Sequence, residues 1–370
     1  MEETTEDGGE SMATKKKTLP KDFQELIKAG NLDALVKAMV KCEPNATGGY
    51  NKYNAFSYEG VTEEFAKWLV EYGTDINMPD KYGYTPLHYR AMRRNSREQL
   101  ELYIRLGADM NKQGSFNGGP LHGAASYGIA ENVQVLIAAG ADVLAKTKTP
   151  NPEGGDTALE FALSRCRGGD IVEKIDAVEL LIRARVPVTE KVKEHAKRIA
   201  ADIEFHRADF AEEWAGKVDA SLERLYDLTG ITPAKKRRIH DGKSPITVTA
   251  KTWREQYAEL WEMLVPGSGS CQTMQGEAIR VIGRVTDELL NNGGGNWDKD
   301  YCTMLESLKA FFSMGMPLDE VALEEVGKLC AQVSPDTDCE AALQCLQQMS
   351  VRWVLKNQEP IALGKPAYRR

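Results

Sequence analysis

Thr85-Pro86-Leu87-His88 and Gly119-Pro120-Leu121-His122 repeat one local pattern, with their prolines 34 residues apart (86 to 120). Each is followed by a glycine-closed ending: Leu106-Gly107-Ala108-Asp109-Met110-Asn111 after the first, Ala139-Gly140-Ala141-Asp142-Val143 after the second. Another copy of that ending, Tyr72-Gly73-Thr74-Asp75-Ile76-Asn77, precedes them, and a weaker one, Ala184-Arg185-Val186-Pro187-Val188, comes later. Gly73, Gly107 and Gly140 are spaced 34 and 33 residues apart (73 to 107, 107 to 140). A fixed period of this length marks stacked supersecondary units.

The residue types suit a pair of helices in each period. Pro86 and Pro120 fall where a first helical turn has no use for an N–H, and the Thr85 hydroxyl can cap that helix. The three glycines fall just past a second helix, where a left-handed residue closes the turn at least cost. Val133, Leu136 and Ile137 lie at helical spacing and form the stripe that a neighbouring unit buries. The pattern closely resembles the ankyrin repeat, whose T-P-L-H-x-A motif recurs about every 33 residues. That resemblance implies a solenoid, and it implies that His88 and His122 are hydrogen-bonding struts between adjacent loops, without a catalytic role.

About five repeats are expected. Leu26-Ile27-Lys28-Ala29-Gly30-Asn31-Leu32-Asp33 echoes the turn of a degenerate first unit, and Ala55-Phe56 replace the T-P-L-H stretch in the second. The fifth carries Thr157-Ala158-Leu159-Glu160 and a stretched loop at residues 146–155. Atypical outer units fit a solenoid, whose ends must cap an apolar face. The chain then reads as all-α in this order: a disordered lead (1–17), ankyrin repeats (18–190), a helical extension (191–230), a linker (231–248), a helical C-terminal domain (249–356) and a tail (357–370). Within the lead, the stretch from Met12 looks like a natural start, with the acidic residues before it an upstream addition.

Composition bounds the function. The 370 residues fit two to three domains. With 42% hydrophobic and 28% charged residues, wholesale disorder is excluded. No apolar stretch approaches the ~20 residues that span a bilayer, and the first residues lack the apolar core of a secretory signal. A net charge of −8 makes a poor general binder of nucleic acid. The seven cysteines never form a C-x-x-C pair. A reducing cytoplasm is expected, with no metal and no cofactor. His195 and His206, with Glu204 between them, miss the i, i+4 spacing of a helical metal site.

Residues 230–250 read as a connection, broken by Pro233, Gly242 and Pro245. The run Lys235-Lys236-Arg237-Arg238 is expected to be solvated. Gly242-Lys243-Ser244 resembles the end of a phosphate loop, but Arg237 stands where the first glycine belongs, so that motif is rejected. Helical periodicity then returns in stretches starting near Trp253, Met274 and Tyr301, and further helices are expected at 318–332 and 338–355. Glu277, Arg280 and Arg284 share one helix face, ahead of the loop leading to Asn296-Trp297-Asp298. Two readings stay open. One is an ion-pair network that pins the glycine-rich loop through Asp298 or Asp300. The other is a pocket for an anionic group, with Trp297 as its aromatic wall.

The stretch from His240-Asp241-Gly242-Lys243-Ser244-Pro245 through Leu260-Trp261-Glu262, Leu264-Val265-Pro266, Gln275-Gly276-Glu277 and Asn296-Trp297-Asp298 is similar to a tail of uncharacterised bacterial ankyrin-repeat proteins. That resemblance implies a bacterial source and brings no known activity, although some such proteins act as antitoxins or effector-binding partners.

The ankyrin resemblance also implies which residues face a partner: Lys81, Tyr82, Tyr84, Met92 and Arg93 in the third repeat, and Ser115, Phe116, Gly118, Ser126 and Tyr127 in the fourth. Arg90 and Arg94 depart from the family's small residues there and, with Arg93 and Arg97, make a cationic strip. A protein partner with an acidic or phosphorylated surface is expected on it, unless the arginines pair with Glu98 and Glu101. The leading reading is a non-enzymatic binding protein. The alternative is an enzyme or ligand-binding C-terminal domain to which the repeats recruit a substrate.

Overall fold

The computed structural model describes residues 14–114, 118–148 and 154–369. The chain divides into two compact units: Met1–Ala200 with Gly216–Pro233, and Ala201–Ala215 with Ala234–Arg370.

In the first unit, helix pairs recur at the expected period. They are α1 (Phe23–Ala29) with α2 (Leu32–Met39), a 3-10 turn (Ala55–Ser57) with α3 (Glu63–Glu71), α4 (Pro86–Ala91) with α5 (Arg97–Arg105), α6 (Pro120–Ser126) with α7 (Ala130–Ala138), and α8 (Ala158–Ser164) with α9 (Ile171–Arg183). Two longer helices follow, α10 (Glu190–His206) and α11 (Glu212–Thr229), of which residues 190–200 and 216–229 belong to this unit. The inner helices α4, α6 and α8 pack side by side, as do the outer helices α5, α7 and α9. Between the rows, Leu87, Leu100, Leu121, Leu136, Leu159 and Leu181 are buried, which supplies the apolar area that a short helix pair lacks alone. Gly73, Gly107 and Gly140 take φ of 88°, 93° and 93°. Nothing lies within 4 Å of a Cβ placed on any of them, so the backbone angle, not crowding, demands glycine.

A ladder of side-chain bonds ties the endings together. The Asp75, Asp109 and Asp142 carboxylates accept from backbone N–H groups two residues on, at 2.8, 2.8 and 2.9 Å. Their own N–H groups donate to Asn45, Asn77 and Asn111 of the preceding unit, at 2.8, 2.7 and 2.9 Å. The ladder stops after the fourth repeat: Leu144 stands where Asn77 and Asn111 stand, and Pro187, with no N–H, where Asp142 stands.

The lead corrects one expectation. Strand β1 (Lys16–Thr18) lies within and beside the stretch expected to be disordered and pairs in parallel with β2 (Cys42–Thr47). The residues before Thr14 lie outside the described residues.

The C-terminal unit contains α12 (Trp253–Leu264), α13 (Met274–Leu290), α14 (Lys299–Phe312), α15 (Glu320–Gln332) and α16 (Glu340–Lys356), close to the periodic stretches of the sequence. Thr252, Thr273, Asp298 and Asp319 cap α12 to α15 with their side chains. Helix α13 packs against α12, α14 and α16, burying Ala278, Ile279, Val281, Ile282 and Val285. Trp353 is fully buried, and its indole N–H donates to the Met314 carbonyl at 3.2 Å.

Residues 357–369 run back over α13. The Gln275 amide donates to the Asn357 and Glu359 carbonyls at 2.9 and 2.7 Å and accepts from the Ile361 N–H at 3.0 Å. In the basic run Lys235, Lys236 and Arg238 are exposed, and Arg237 alone departs from the expected solvation. The Arg237 guanidinium is buried and donates to the carbonyls of Trp261, Glu262, Val265 and Phe205 while lying 3.8 Å over the Phe205 ring. Three of those carbonyls close the end of α12, where a cation complements the helix dipole.

Candidate functional site

The second to fifth repeats each open on a hairpin whose base is closed by backbone bonds. Gly48 and Tyr53 exchange two, at 2.8 and 3.0 Å; Asp80 donates to Tyr84 at 2.8 Å, Gly114 to Gly118 at 2.9 Å, and Thr147 to Asp156 at 2.8 Å. The tip at residues 80–84 is folded around one carboxylate. Asp80 accepts from the N–H groups of Tyr82 and Tyr84 at 2.8 and 2.9 Å and from the Tyr89 hydroxyl at 2.6 Å. Such Asx geometry costs little in a loop and much in a helix, which is why aspartate sits there.

The two motif histidines join neighbouring tips. His88 Nδ1 accepts from the Thr85 N–H at 3.1 Å, and His122 Nδ1 from the Gly119 N–H at 3.2 Å. That leaves the proton on Nε2, which donates to the next unit's Gly118 carbonyl at 3.2 Å or Asp156 carbonyl at 3.0 Å. Burial pushes both rings down, His88 to about 4, so both are neutral struts at pH 7. The Thr85 hydroxyl, expected as a backbone cap, instead meets His88 Nδ1 at 2.8 Å. In the fifth unit Glu160 takes the histidine's place, accepting from the Thr157 N–H and from the Thr189 hydroxyl.

On these fixed loops several expected residues are open. Lys81 is exposed and Tyr82 is 48% exposed, while Tyr127, at the C-cap of α6 in the turn to α7, is 59% exposed. The Lys81 ammonium lies 2.8 Å from the Tyr50 ring centre and 4.8 Å from that of Tyr82, a cation held between two aromatic faces. Tyr84 is half-buried, edge-on to His88 and Tyr89. Ser126 is half-buried, and Met92 covers Gly123, whose added Cβ would meet the Met92 side chain at 2.7 Å. Ser115 and Phe116 lie outside the described residues.

Two open residues escaped the sequence reading: Tyr50, 83% exposed, and Leu144, 54% exposed. Placing Ala55 over Pro86 puts Tyr50 over Lys81 (an offset of 31), so the degenerate second repeat held the signal for Tyr50.

The cationic strip needs correction. Arg90 is 1% exposed and points inward, donating to Gln99 Oε1 at 2.8 Å and to the Ser57 carbonyl at 3.1 Å, so it binds the second repeat to the third and faces no partner. Arg93 pairs with Glu59, Arg94 with Glu173 at 2.6 Å, and Arg97 with Glu101 at 3.0 Å. The strip is neutralised by the chain's own carboxylates, and only Glu101 of these was foreseen.

The expected pocket of the C-terminal unit is also rearranged. Glu277 and Arg280 are fully buried and bonded to each other at 2.6 and 3.0 Å. The Cys271 N–H and the Tyr368 hydroxyl complete the carboxylate at 2.9 and 2.7 Å. Burial pushes the Glu277 carboxyl up, but Arg280 and these donors outweigh it and hold it below its ordinary value. Neither side chain is open to solvent. Arg284 makes no ion pair among the described residues, and burial, followed by Arg280, lowers its pKa. The glycine-rich loop is pinned by Glu288, which accepts from Asn292, from the Asn296 N–H and side chain, and from Tyr301. Asp298 caps α14, and Asp300 accepts from the Arg369 N–H at 3.3 Å. Trp297 stacks on Tyr301 at 5.3 Å and 7° and lines a cleft between α14 and α15.

Among the described residues no cluster of three His, Cys, Asp or Glu could hold a metal, and no helix is long and apolar enough to cross a membrane.

Family models for ankyrin repeats match residues 57–102 (ankyrin repeats, many copies) and 119–148 (ankyrin repeat). The chain is 31% identical over 151 residues to Tyrosine-protein kinase Shark of Drosophila melanogaster, covering 35% of this chain and 15% of that protein. It is 35% identical over 101 residues to Palmitoyltransferase Hip14 of the same fly, covering 27% of this chain and again 15% of the relative. The chain thus spans less than a fifth of these two proteins. Against Notch-regulated ankyrin repeat-containing protein A of Danio rerio it is 32% identical over 95 residues, which is 22% of this chain and 77% of that relative. With the period, the histidine struts and the asparagine ladder in place, the chain belongs to the ankyrin-repeat proteins.

Proposed function

We propose that the repeat unit is a non-enzymatic protein-binding module that holds a partner across its hairpin tips and the concave face they border. One observation carries this reading: Tyr50, Tyr82 and Tyr127 are open to solvent on or beside loops whose backbones are already tied. Tyrosines are frequent anchors of interfaces, and a loop that is ordered beforehand loses little entropy on binding. The kinase and transferase activities in the names of two relatives are not carried over, because the match covers 15% of each. The C-terminal unit is read as adding to or regulating the binding, without a reaction of its own.

Narrower forms of this reading rest on less. An acidic partner must take Arg93 and Arg94 from Glu59 and Glu173, and exposed pairs of this kind are worth about 0–1 kcal/mol each, so the exchange is cheap but adds little. No nucleic-acid or membrane partner is proposed. A cytoplasmic setting agrees with the exposed thiols of Cys302 and Cys345. An antitoxin or immunity role and a bacterial source rest on the C-terminal resemblance alone; the relatives named above come from a fly and a fish.

Affinity capture from source-cell lysate tests the proposal. A protein retained by the wild type should be lost from the Tyr50→Ala, Tyr82→Ala, Tyr127→Ala variant and kept by Arg97→Glu. Retention of the same protein by the triple variant would overturn the proposal.

A further inference from the structure

The cleft between α14 and α15 has a volume of about 430 Å³ and lies wholly within the C-terminal unit. That is within the range of small-molecule sites. Its floor is apolar: Leu305 from α14, and Cys330 and Ala331 from α15. The Cys330 thiol donates to the Leu305 carbonyl at 3.6 Å, and burial pushes its pKa up to about 11, so it carries no charge at pH 7.

One end of the cleft is a fixed aromatic wall. Trp297 is stacked on Tyr301, its N–H donates to the Gly294 carbonyl at 3.0 Å, and the loop before it hangs on Glu288. The other end is a cation. Lys309 makes no ion pair among the described residues, and its ammonium lies over Gly327. A Cβ placed on Gly327 meets nothing within 4 Å except that ammonium, at 3.9 Å. A glycine inside a helix weakens it relative to alanine, and no neighbour needs the space. Its effect is to keep the cleft open beside the lysine.

The spacing sets the shape of a ligand. Lys309 is eight residues beyond Tyr301 on one helix, about 12 Å along its axis. A ring on Trp297 and an anion at Lys309 must therefore belong to an elongated molecule. Glu306, one turn nearer the tryptophan, disfavours a second negative charge. We propose that this cleft binds a flat, two-ring aromatic monocarboxylate, its rings against Trp297 and Leu305 and its carboxylate on Lys309. The site replaces the expected anion pocket: the tryptophan wall is kept, and Lys309 takes the part given to Arg280 and Arg284. This inference is independent of what the repeats bind.

Titration calorimetry of the full chain with 2-naphthoate, 2-naphthamide and benzoate tests it. 2-Naphthoate should bind below about millimolar Kd, and the uncharged amide and the single-ring acid should each bind at least roughly tenfold more weakly. Lys309→Met should bring the acid down to the level of the amide, and Gly327→Leu should abolish binding of both. The proposal is overturned if 2-naphthoate fails to bind at about millimolar concentration, if acid and amide bind alike, or if Lys309→Met leaves the acid's affinity unchanged. Binding by a folded Gly327→Leu variant overturns it too; should that variant not fold, Lys309→Met, at the solvent end of the cleft, decides.

Discussion

The repeat unit and the C-terminal unit are both built from helices, but they are closed by contacts of different reach. In the repeats the bonds that join neighbours span about one period: 30 residues from His88 to Gly118, 34 from His122 to Asp156, and 32 and 31 for two rungs of the asparagine ladder. In the C-terminal unit the closing bonds span 82 residues from Gln275 to Asn357, 90 from Arg254 to Gln344, and 91 from Tyr368 to Glu277. A bond made once per period leaves a periodic mark in the sequence. A bond made once per fold leaves none.

The largest expected effect tests the buried pair that organises the second kind of closure. Glu277→Ala should cost about 3–5 kcal/mol in urea unfolding, because it strands the buried Arg280 guanidinium. Replacing both partners by apolar residues, Glu277→Leu with Arg280→Met, should cost less than the single change. A double variant as unstable as the single one would show that the pair is net stabilising.

Next comes pH, where the repeats are the sensitive party. His88 has its folded pKa depressed to about 4 from an unfolded 6.5, mainly by burial, so below 6.5 the unfolded chain takes up a proton that the folded unit refuses. Stability is full above pH 6.5 and falls as pH drops towards 4, by roughly 3 kcal/mol for His88 alone. His122 acts in the same direction. Carboxylates held below their ordinary value, such as Glu160 and Glu277, lose their contribution only below about 4.5. Urea midpoints at pH 7.5 and 5.0 should therefore drop more for the wild type than for His88→Gln, and equal drops would refute the assignment.

Tyr368→Phe tests the far end of the strap formed by residues 357–369, which run back over α13. It leaves one Glu277 oxygen short of a donor and should cost about 2 kcal/mol, with faster hydrogen exchange at residues 357–369. An unchanged exchange pattern there means that the tyrosine does not anchor the strap. A single rung of the ladder is worth less: Asn111→Ala should cost about 1 kcal/mol by thermal unfolding. The smallest effect is expected at the ladder's end. Leu144→Asn should change stability by under about 0.5 kcal/mol, because Pro187 offers no N–H to receive. A clear gain would mean that the new asparagine finds another donor.

These differences explain what the sequence disclosed. The glycines, the histidines and the Asp–Asn endings were legible because each does one local job at a fixed offset. The C-terminal helices were legible from apolar spacing, whereas the caps Thr273 and Asp298 went unread. Arg90 was misplaced because its motif position normally holds a small residue, and its inward turn depends on Ser57 and Gln99, which no period announces. Glu277 and Arg280 were recognised as neighbours on one helix face, but Tyr368, 91 residues away, could not be paired with them by spacing. Glu288 was missed for a simpler reason: it precedes the loop it pins, whereas the aspartates expected to do so follow it.

The central claim is that the hairpin tips and the bordering face hold the partner. Hydrogen exchange of the full chain, with and without the captured protein, tests it most directly. The account predicts slowed exchange at residues 48–53, 80–84 and 126–128, with the outer helices α5 and α7 unchanged. Protection confined to α5, α7 or α9, with the tips exchanging as before, would contradict it.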